Sequence, residues 1–312
     1  MSTRLKSRGC AVWAGSVVAW LAGGAIVIAD LDRVEAGPIT FNSALPVPQG
    51  VFIFRGQAIL SRSTDDSSTM DRDRKVLTIP AVFAYGVTRD FAVFGIVPYH
   101  EKRLELTTSS GRVRRGDSGV GDSTFLVRYT LLAIDRLGDT RRFAPFVGLK
   151  APTGDDDQVD GLGRLPQPLQ LGSGSWDPIA GTSFTWQTFD WEFDAAVQYR
   201  VNTEANNFEF GDQARADASF QYRLWPPTLG SGVPTFFYGV IESNLVYAGK
   251  NTVEGVSDPN SGGITWLLAP GLQYVTRRVV LEAIVQIPVV QDLNGTALER
   301  DYIVRGGFRV NF

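Results

Sequence analysis

Between positions 302 and 312 apolar and polar side chains alternate. Tyr302, Val304, Gly306, Phe308, Val310 and Phe312 share one face, while Arg305, Arg309 and Asn311, with the preceding Asp301, fall on the other. Successive strand side chains point to opposite faces, so this period of two predicts a strand with one greasy and one charged side. Residues 191–202 repeat it: Trp191, Phe193, Ala195, Val197, Tyr199 and Val201 alternate with Glu192, Asp194, Ala196, Gln198, Arg200 and Asn202. Residues 213–224 do so again, with Gln213, Arg215, Asp217, Ser219, Gln221 and Arg223 against Ala214, Ala216, Ala218, Phe220, Tyr222 and Leu224. A looser version sets Phe125, Val127, Tyr129 and Leu131 against Thr124, Arg128 and Thr130.

Extended along the chain, the pattern predicts strands near 50–62, 75–88, 91–106, 119–132, 142–153, 173–188, 190–203, 210–224, 234–248, 263–275, 278–290 and 300–312. That is an even number, twelve, with no convincing helix among them. The connections Thr88-Arg89-Asp90, Phe189-Asp190 and Val275-Thr276-Arg277 are tight, and those at 133–141 and 225–233 modest. Longer polar loops at 63–74, 107–118, 154–172, 249–262 and 291–299, with a shorter one at 204–209, alternate with them. Short periplasmic turns and long outer loops follow from this order when both termini sit in the periplasm.

Two architectures carry such alternation. In a secreted β-sandwich the apolar face would form a core and the polar face would meet water; in an outer-membrane barrel the apolar face meets lipid and the charged face lines a lumen. Strands of about a dozen residues exceed the usual five or six of globular sheets and suit a tilted membrane strand. Aromatics gather toward strand ends at Trp176, Trp186, Trp191, Tyr199, Trp225, Trp266, Tyr302 and Phe312, where the two headgroup girdles would lie. The expected fold is therefore all-β: a transmembrane antiparallel up-and-down β-barrel of about twelve strands.

The amino terminus agrees. Arg4, Lys6 and Arg8 precede an uncharged, apolar stretch over 10–29, which reads as a cleaved secretory signal peptide within residues 1–36, with cleavage after Ala29 or Ala36. A signal anchor is the alternative for so long a stretch. The barrel is then expected over 37–312 with periplasmic N- and C-termini. Beyond the leader no apolar run is long enough for a membrane helix, so a membrane-bound mature chain must span as a closed barrel.

Composition removes most other chemistry. Cys10, which opens the apolar stretch where a lipobox would close it, leaves with the signal; His100 is then the one histidine of a cysteine-free chain. Disulfides, thiolate catalysis and zinc sites built on cysteine or several histidines are excluded, and no cofactor is expected. Loss of Arg4, Lys6 and Arg8 leaves 27 basic against 33 acidic residues, a mild acidity that argues against nucleic acid as a partner. The acidic run Asp155-Asp156-Asp157 with Asp160 has the oxygen ligands a calcium ion favours but not the spacing of an EF-hand, and reads as a solvated outer loop. Gly161-Leu162-Gly163 and Gly172-Ser173-Gly174 lack the strand-to-helix context of a nucleotide site and read as flexible loop. His100, followed by Ser109 and Ser110, has no Gly-x-Ser-x-Gly elbow nearby and reads as a polar strand-end residue.

Short motifs recur at strand boundaries: Phe41-Asn42-Ser43-Ala44-Leu45-Pro46-Val47-Pro48-Gln49-Gly50 before the first strand, Gly119-Val120-Gly121-Asp122 opening the fourth, Leu149-Lys150-Ala151-Pro152-Thr153-Gly154 closing the fifth and Gly211-Asp212 opening the eighth. Physically, Gly-Asp closes a loop with the carboxylate capping nearby amides, and Pro-Thr-Gly ends pairing and turns the chain. In order and spacing these motifs, over 41–312, resemble the outer-membrane proteins grouped under the meta-pathway of phenol degradation. What the resemblance implies is a barrel that carries small hydrophobic or aromatic compounds across the outer membrane.

Projected inward, the polar faces give Arg55, Gln57, Arg128, Lys150, Glu192, Asp194, Gln198, Arg200, Arg215, Asp217, Arg223, Glu242, Glu282, Arg305 and Arg309 as lumen-lining residues, with arginine ahead. Pairing across the interior would hold a small barrel closed; segregation would leave a field that orients solutes and favours anions. The expected function is a passive channel in the bacterial outer membrane for small, hydrophobic or aromatic solutes. A barrel acting through adhesive outer loops and an outer-membrane hydrolase are the alternatives. The final strand, through Tyr302, Phe308, Val310 and Phe312, resembles the insertion signal read by the barrel-assembly machinery. Expected partners are therefore that machinery, periplasmic chaperones, outer-membrane lipid and lipopolysaccharide, besides the solute.

Overall fold

A computed structural model describes residues 36–229 and 235–312. The expected signal peptide, with Arg4, Lys6, Arg8, Cys10 and the Ala29 boundary, lies outside the described residues, as does part of the connection at 225–233. Twelve antiparallel strands close on themselves. They are β1 (Phe52–Ser63), β2 (Asp73–Gly86), β3 (Phe91–Thr108), β4 (in three stretches, Gly111–Val120, Ser123–Tyr129 and Leu132–Arg136), β5 (Asp139–Ala151), β6 (Asp177–Thr188), β7 (Trp191–Arg200), β8 (Gln213–Trp225), β9 (Phe236–Ala248), β10 (Gly263–Val275), β11 (Val279–Leu293) and β12 (Tyr302–Asn311). Each pairs with its sequence neighbours, and β12 returns to β1 with Arg55 opposite Arg309 and Gln57 opposite Gly307. Closure leaves no unpaired edge at the seam, the condition for backbone to cross hydrocarbon.

The register turns one parity of every strand outward. Phe125, Val147, Val197, Phe220, Ile241, Leu281 and Phe308 are among the exposed apolar side chains of that outer surface. Phe52 stacks beside Phe83 and Phe312 near one rim, and Trp186 meets Trp191 edge-on at 4.9 Å. Tyr99, Tyr199, Tyr247 and Trp266 are exposed toward the other rim. In water such a surface would associate; facing acyl chains between two headgroup layers it is the expected arrangement.

The structure departs from the pattern at four places, and in the first of them mixed charge is the cause. Residues 107–118, expected as a loop, carry the end of β3 and the first stretch of β4, which form a long hairpin turning at Ser109 and Ser110. Arg112 and Arg114 on one face and Arg115 and Asp117 on the other erase the apolar period that would mark a strand. At 133–141, β4 continues to Arg136 and the chain turns only at Leu137 and Gly138, the latter at φ +72. The start of β6 moves from 173 to Asp177. The loop expected to be solvated and flexible, 154–172, is folded: Leu165, Gln170 and Leu171 are buried and 167–169 form a 3-10 turn. Its Gly172 backbone packs against Gly154, where an added Cβ would lie 2.2 Å from the Gly154 carbonyl oxygen.

Candidate functional site: the barrel lumen

Residues 36–48, expected simply to lead into the first strand, enter the barrel and cross its periplasmic half. Ala36 packs on Val275 and Val280, and Ile39 on Val240, Ala269 and Ile284. Such an irregular strap leaves its backbone groups to be matched by side chains. Glu242 accepts the Ile39 and Thr40 amides at 2.6 and 3.1 Å and the Thr40 hydroxyl as well. Gln273 brackets Gly37, with Nε2 donating to its carbonyl at 2.6 Å. Arg55 Nη2 and Gln57 Nε2 donate to the Ile39 carbonyl at 2.8 and 3.0 Å. On the far wall Arg128 donates to the Ser43 and Leu45 carbonyls and Thr185 Oγ1 accepts the Ala44 amide at 2.8 Å. Val47 then packs on Ala84 and Ala92 as the chain leaves toward β1.

Charges around the strap are largely matched. Glu282 pairs with Arg55 at 2.7 Å and accepts Gln57 at 2.7 Å. Asp194 accepts Thr185 at 2.5 Å and Gln221 at 3.3 Å, Glu192 accepts Gln187 at 2.7 Å, and Arg223 pairs with Asp190 in the β6–β7 turn. Arg309 lies against Gly37. Buried ionic groups persist only when paired or fully hydrogen-bonded, and here the strap supplies a large part of that matching.

The outer half differs. Its rim is braced by Asp122, which accepts the Ser173 amide at 2.9 Å, the Ser173 hydroxyl at 2.8 Å and the Gly154 amide at 3.1 Å. Asp212 caps Asn202 in the same way at 2.9 Å. The Gly-Asp motifs thus act as loop-closing caps, and Gly121 is glycine because the His100 ring occupies the space a Cβ would need, its nearest atom at 2.4 Å. Lys150 lies between Asp122 and Asp177 at 3.0 and 2.5 Å, and Lys102 donates to carbonyls of the 154–172 loop. Between these anchors Arg200, Arg215 and Arg305 point inward; Arg200 donates to Gln213 at 2.9 Å, Arg215 to Asp217 at 3.0 Å and Arg305 to Gln286 at 2.7 Å.

Every lumen-lining residue expected from the alternation thus carries the inward parity: Arg55, Arg128, Lys150, Glu192, Asp194, Arg200, Arg215, Asp217, Arg223, Glu242, Glu282, Arg305 and Arg309, together with Gln57 and Gln198. Tyr302, Phe308, Val310 and Phe312 carry the outward one. The alternation missed the strap, Arg74, Lys102 and Arg300. Arg74 lies just before the expected start of β2, so extending that period by one residue would have found it; Lys102 lies inside the expected β3 and shares the inward parity of the buried Ala92; no period marks the strap. His100 bonds Thr78 at 3.0 Å through Nδ1, while Ser109 and Ser110 lie at the distant hairpin tip. The acids at 155–160 are engaged individually: Asp160 with Arg115 at 2.8 Å and Asp156 with Asn206 at 2.8 Å. Among the described residues no group of acidic or histidine side chains is arranged to hold a metal ion.

A closed antiparallel barrel with a lipid-facing apolar belt, a polar lumen and a strap from its own amino-terminal segment is an outer-membrane-type transmembrane barrel. The chain belongs to the family described as "Putative MetA-pathway of phenol degradation", which matches residues 76–283. No curated protein sequence matches significantly. Among solved structures it is similar to an outer membrane channel from Pseudomonas putida, at 15% identity and TM-score 0.66 over 89% of this chain and 100% of that one. The translocator domain of the autotransporter NalP from Neisseria meningitidis aligns at 9% identity and TM-score 0.42, over 85% of this chain and 89% of that one. The likeness to the Pseudomonas putida channel is one of fold.

Proposed function

We propose that the protein resides in the bacterial outer membrane as a channel rather than an enzyme, through which small, hydrophobic or aromatic solutes pass passively along the lumen. The observation that carries this reading is the constriction: the periplasmic half of the lumen is closed by a short strap of backbone held through side-chain hydrogen bonds, rather than filled by a packed core. Twelve strands enclose more room than an eight-stranded barrel packed with its own side chains. The solute class follows from membership of a family described by phenol degradation, and from likeness in fold to a protein described as an outer membrane channel.

The inward residues from Arg55 to Arg309 named above form the proposed path. The cleaved signal peptide lies within residues 1–36, and of its two cleavage sites Ala29 is the one that leaves Ala36 on Val275 and Val280; Tyr302, Phe308, Val310 and Phe312 act as the insertion signal met by the assembly machinery. An adhesive role for the outer loops is less favoured, because the 154–172 loop is tied inward through Lys102 and its own Gln170 rather than presented outward. Heat-modifiable gel mobility of the extracted protein, then single-channel recording in a planar bilayer, tests the proposal. Discrete conductance from protein that shifts on heating is the expected result. A folded barrel that stays impermeable to ions and aromatic solutes under all conditions defeats it.

A further inference from the structure

In the outer half of the lumen cations outnumber their partners. Lys150 is matched by Asp122 and Asp177, Arg115 by Asp160, and Lys102 by loop carbonyls. Arg74, Arg200, Arg300 and Arg305 have no carboxylate within ion-pair distance among the described residues, and Arg215 shares Asp217 alone. The Nε groups of Arg200, Arg215 and Arg300 are buried donors without an acceptor. These side chains come from separate parts of the wall: Arg74 from β2, Arg200 from β7, Arg215 from β8, Arg305 from β12 and Arg300 from the segment just before it. Arg200 and Arg215 nonetheless adjoin across the β7–β8 pair, where Gln213 stands opposite Arg200 and Gln198 opposite Arg215, while Arg74, opposite Ser63, and Arg300, two residues before the Tyr302 that stands opposite Arg62, flank the outer end of β1.

Converging guanidiniums with idle donors in a lumen of low dielectric are costly unless an anion joins them. Beside them the wall carries apolar side chains: Val246 stands directly opposite Arg215 on β9, and Ile59 opposite Arg305 on β1. A ring can lie on such side chains while a carboxylate meets the guanidiniums.

We propose that Arg74, Arg200, Arg215, Arg300 and Arg305 form a binding site for the carboxylate of a small aromatic acid in the outer half of the lumen, above the strap. The inference rests on the channel reading for its purpose and narrows the solute from aromatic compounds in general to aromatic anions. Uncharged aromatics use the same wall without engaging the arginines.

Benzoate is the probe, titrated into the detergent-folded full chain by calorimetry, with benzyl alcohol and chloride as comparison ligands and conductance recorded in parallel. Saturable benzoate binding is expected, at least about tenfold tighter than benzyl alcohol and weakened about tenfold by Arg300→Gln, since one charge-assisted bond is worth that much. Arg300→Lys retains most of the binding; heat-modifiable mobility establishes that each variant is folded. Absent or unsaturable benzoate binding to folded wild-type protein overturns the proposal. So does chloride at equal concentration displacing benzoate, which would mark a site for simple anions. Benzoate binding in a barrel without conductance supports the site and defeats the channel reading; conductance with no benzoate block or binding does the reverse.

Discussion

The two halves of this lumen are lined by the same strands with the same alternation, yet they treat charge oppositely. In the periplasmic half Glu242, Arg55 and Arg128 are satisfied because backbone amides and carbonyls of residues 38–45 reach them, and Glu282 is satisfied by Arg55 and Gln57. In the outer half no strap passes, and the Nε groups of Arg200, Arg215 and Arg300 are buried without an acceptor. A strand pattern that puts charge inside a barrel thus says nothing about what the charge meets. The meeting partner comes from irregular chain, and its presence turns a polar wall into a closed constriction.

The largest effect is expected from removing the strap. Deleting residues 37–47 should raise single-channel conductance several-fold and erase the difference in access between the halves. Unchanged conductance from a folded deletion would place the constriction elsewhere, in the outer half. Glu242→Gln is the sharper version. The neutral amide replaces charge-assisted acceptance of the Ile39 and Thr40 amides, which are worth about 1.5–3 kcal/mol to a charged group. The strap then releases more often, and recordings should show more frequent or longer openings at unchanged maximal conductance; identical gating would mean that Gln273, Arg55 and Arg128 suffice to hold it.

A second comparison sets the wall's two faces side by side within the outer half. Val197 and Gln198 are adjacent on β7, and Val197 is 52% exposed on the lipid face. Val197→Arg should cost about 2–4 kcal/mol, read as a lowered urea midpoint in lipid vesicles, as for a cation near the bilayer centre. Gln198→Arg adds the same group to the lumen and should leave the midpoint nearly unchanged while strengthening any preference for anions. Equal destabilisation by both would mean that the inward and outward assignments of β7 are not distinct in the membrane.

Most of the fold was legible because lipid outside and polar groups inside impose the strictest alternation a strand can carry. Strands β7, β8 and β12 show it without interruption. The hairpin at 107–118 was hidden since it stands beyond the lipid, where Arg112, Arg114, Arg115 and Asp117 can occupy both faces without penalty. The strap was invisible for a related reason. Residues 36–48 obey no period, as each position answers to a different side chain of the wall, and burial of Ile39, Ala44 and Val47 depends on strands far along the chain. The arginines were half legible: Arg200, Arg215 and Arg305 followed from parity, whereas Arg74 fell in residues read as loop and Arg300 opened the expected last strand on its outward parity.

The smallest effect belongs to the outer rim, where a loop provides for itself what the strap provides below. Asp66, between β1 and β2, accepts Arg72 Nε and Nη2 at 2.9 and 2.6 Å and the amides of Ser68 and Arg72 at 2.9 and 2.7 Å. The Arg72 guanidinium, helped by those amides, holds the Asp66 carboxyl well below its ordinary value of 3.8. A carboxylate with a depressed folded-state pKa stabilises fully above its unfolded value, and the contribution fades as pH falls through that value toward the folded one. Asp66→Asn should therefore loosen the loop by about 1 kcal/mol at neutral pH. The gap between variant and wild type, followed by proteolytic nicking of residues 64–72, should narrow steadily below about pH 4. A gap that persists unchanged into strong acid would assign the loop's order to its turn geometry instead of the Asp66–Arg72 pair.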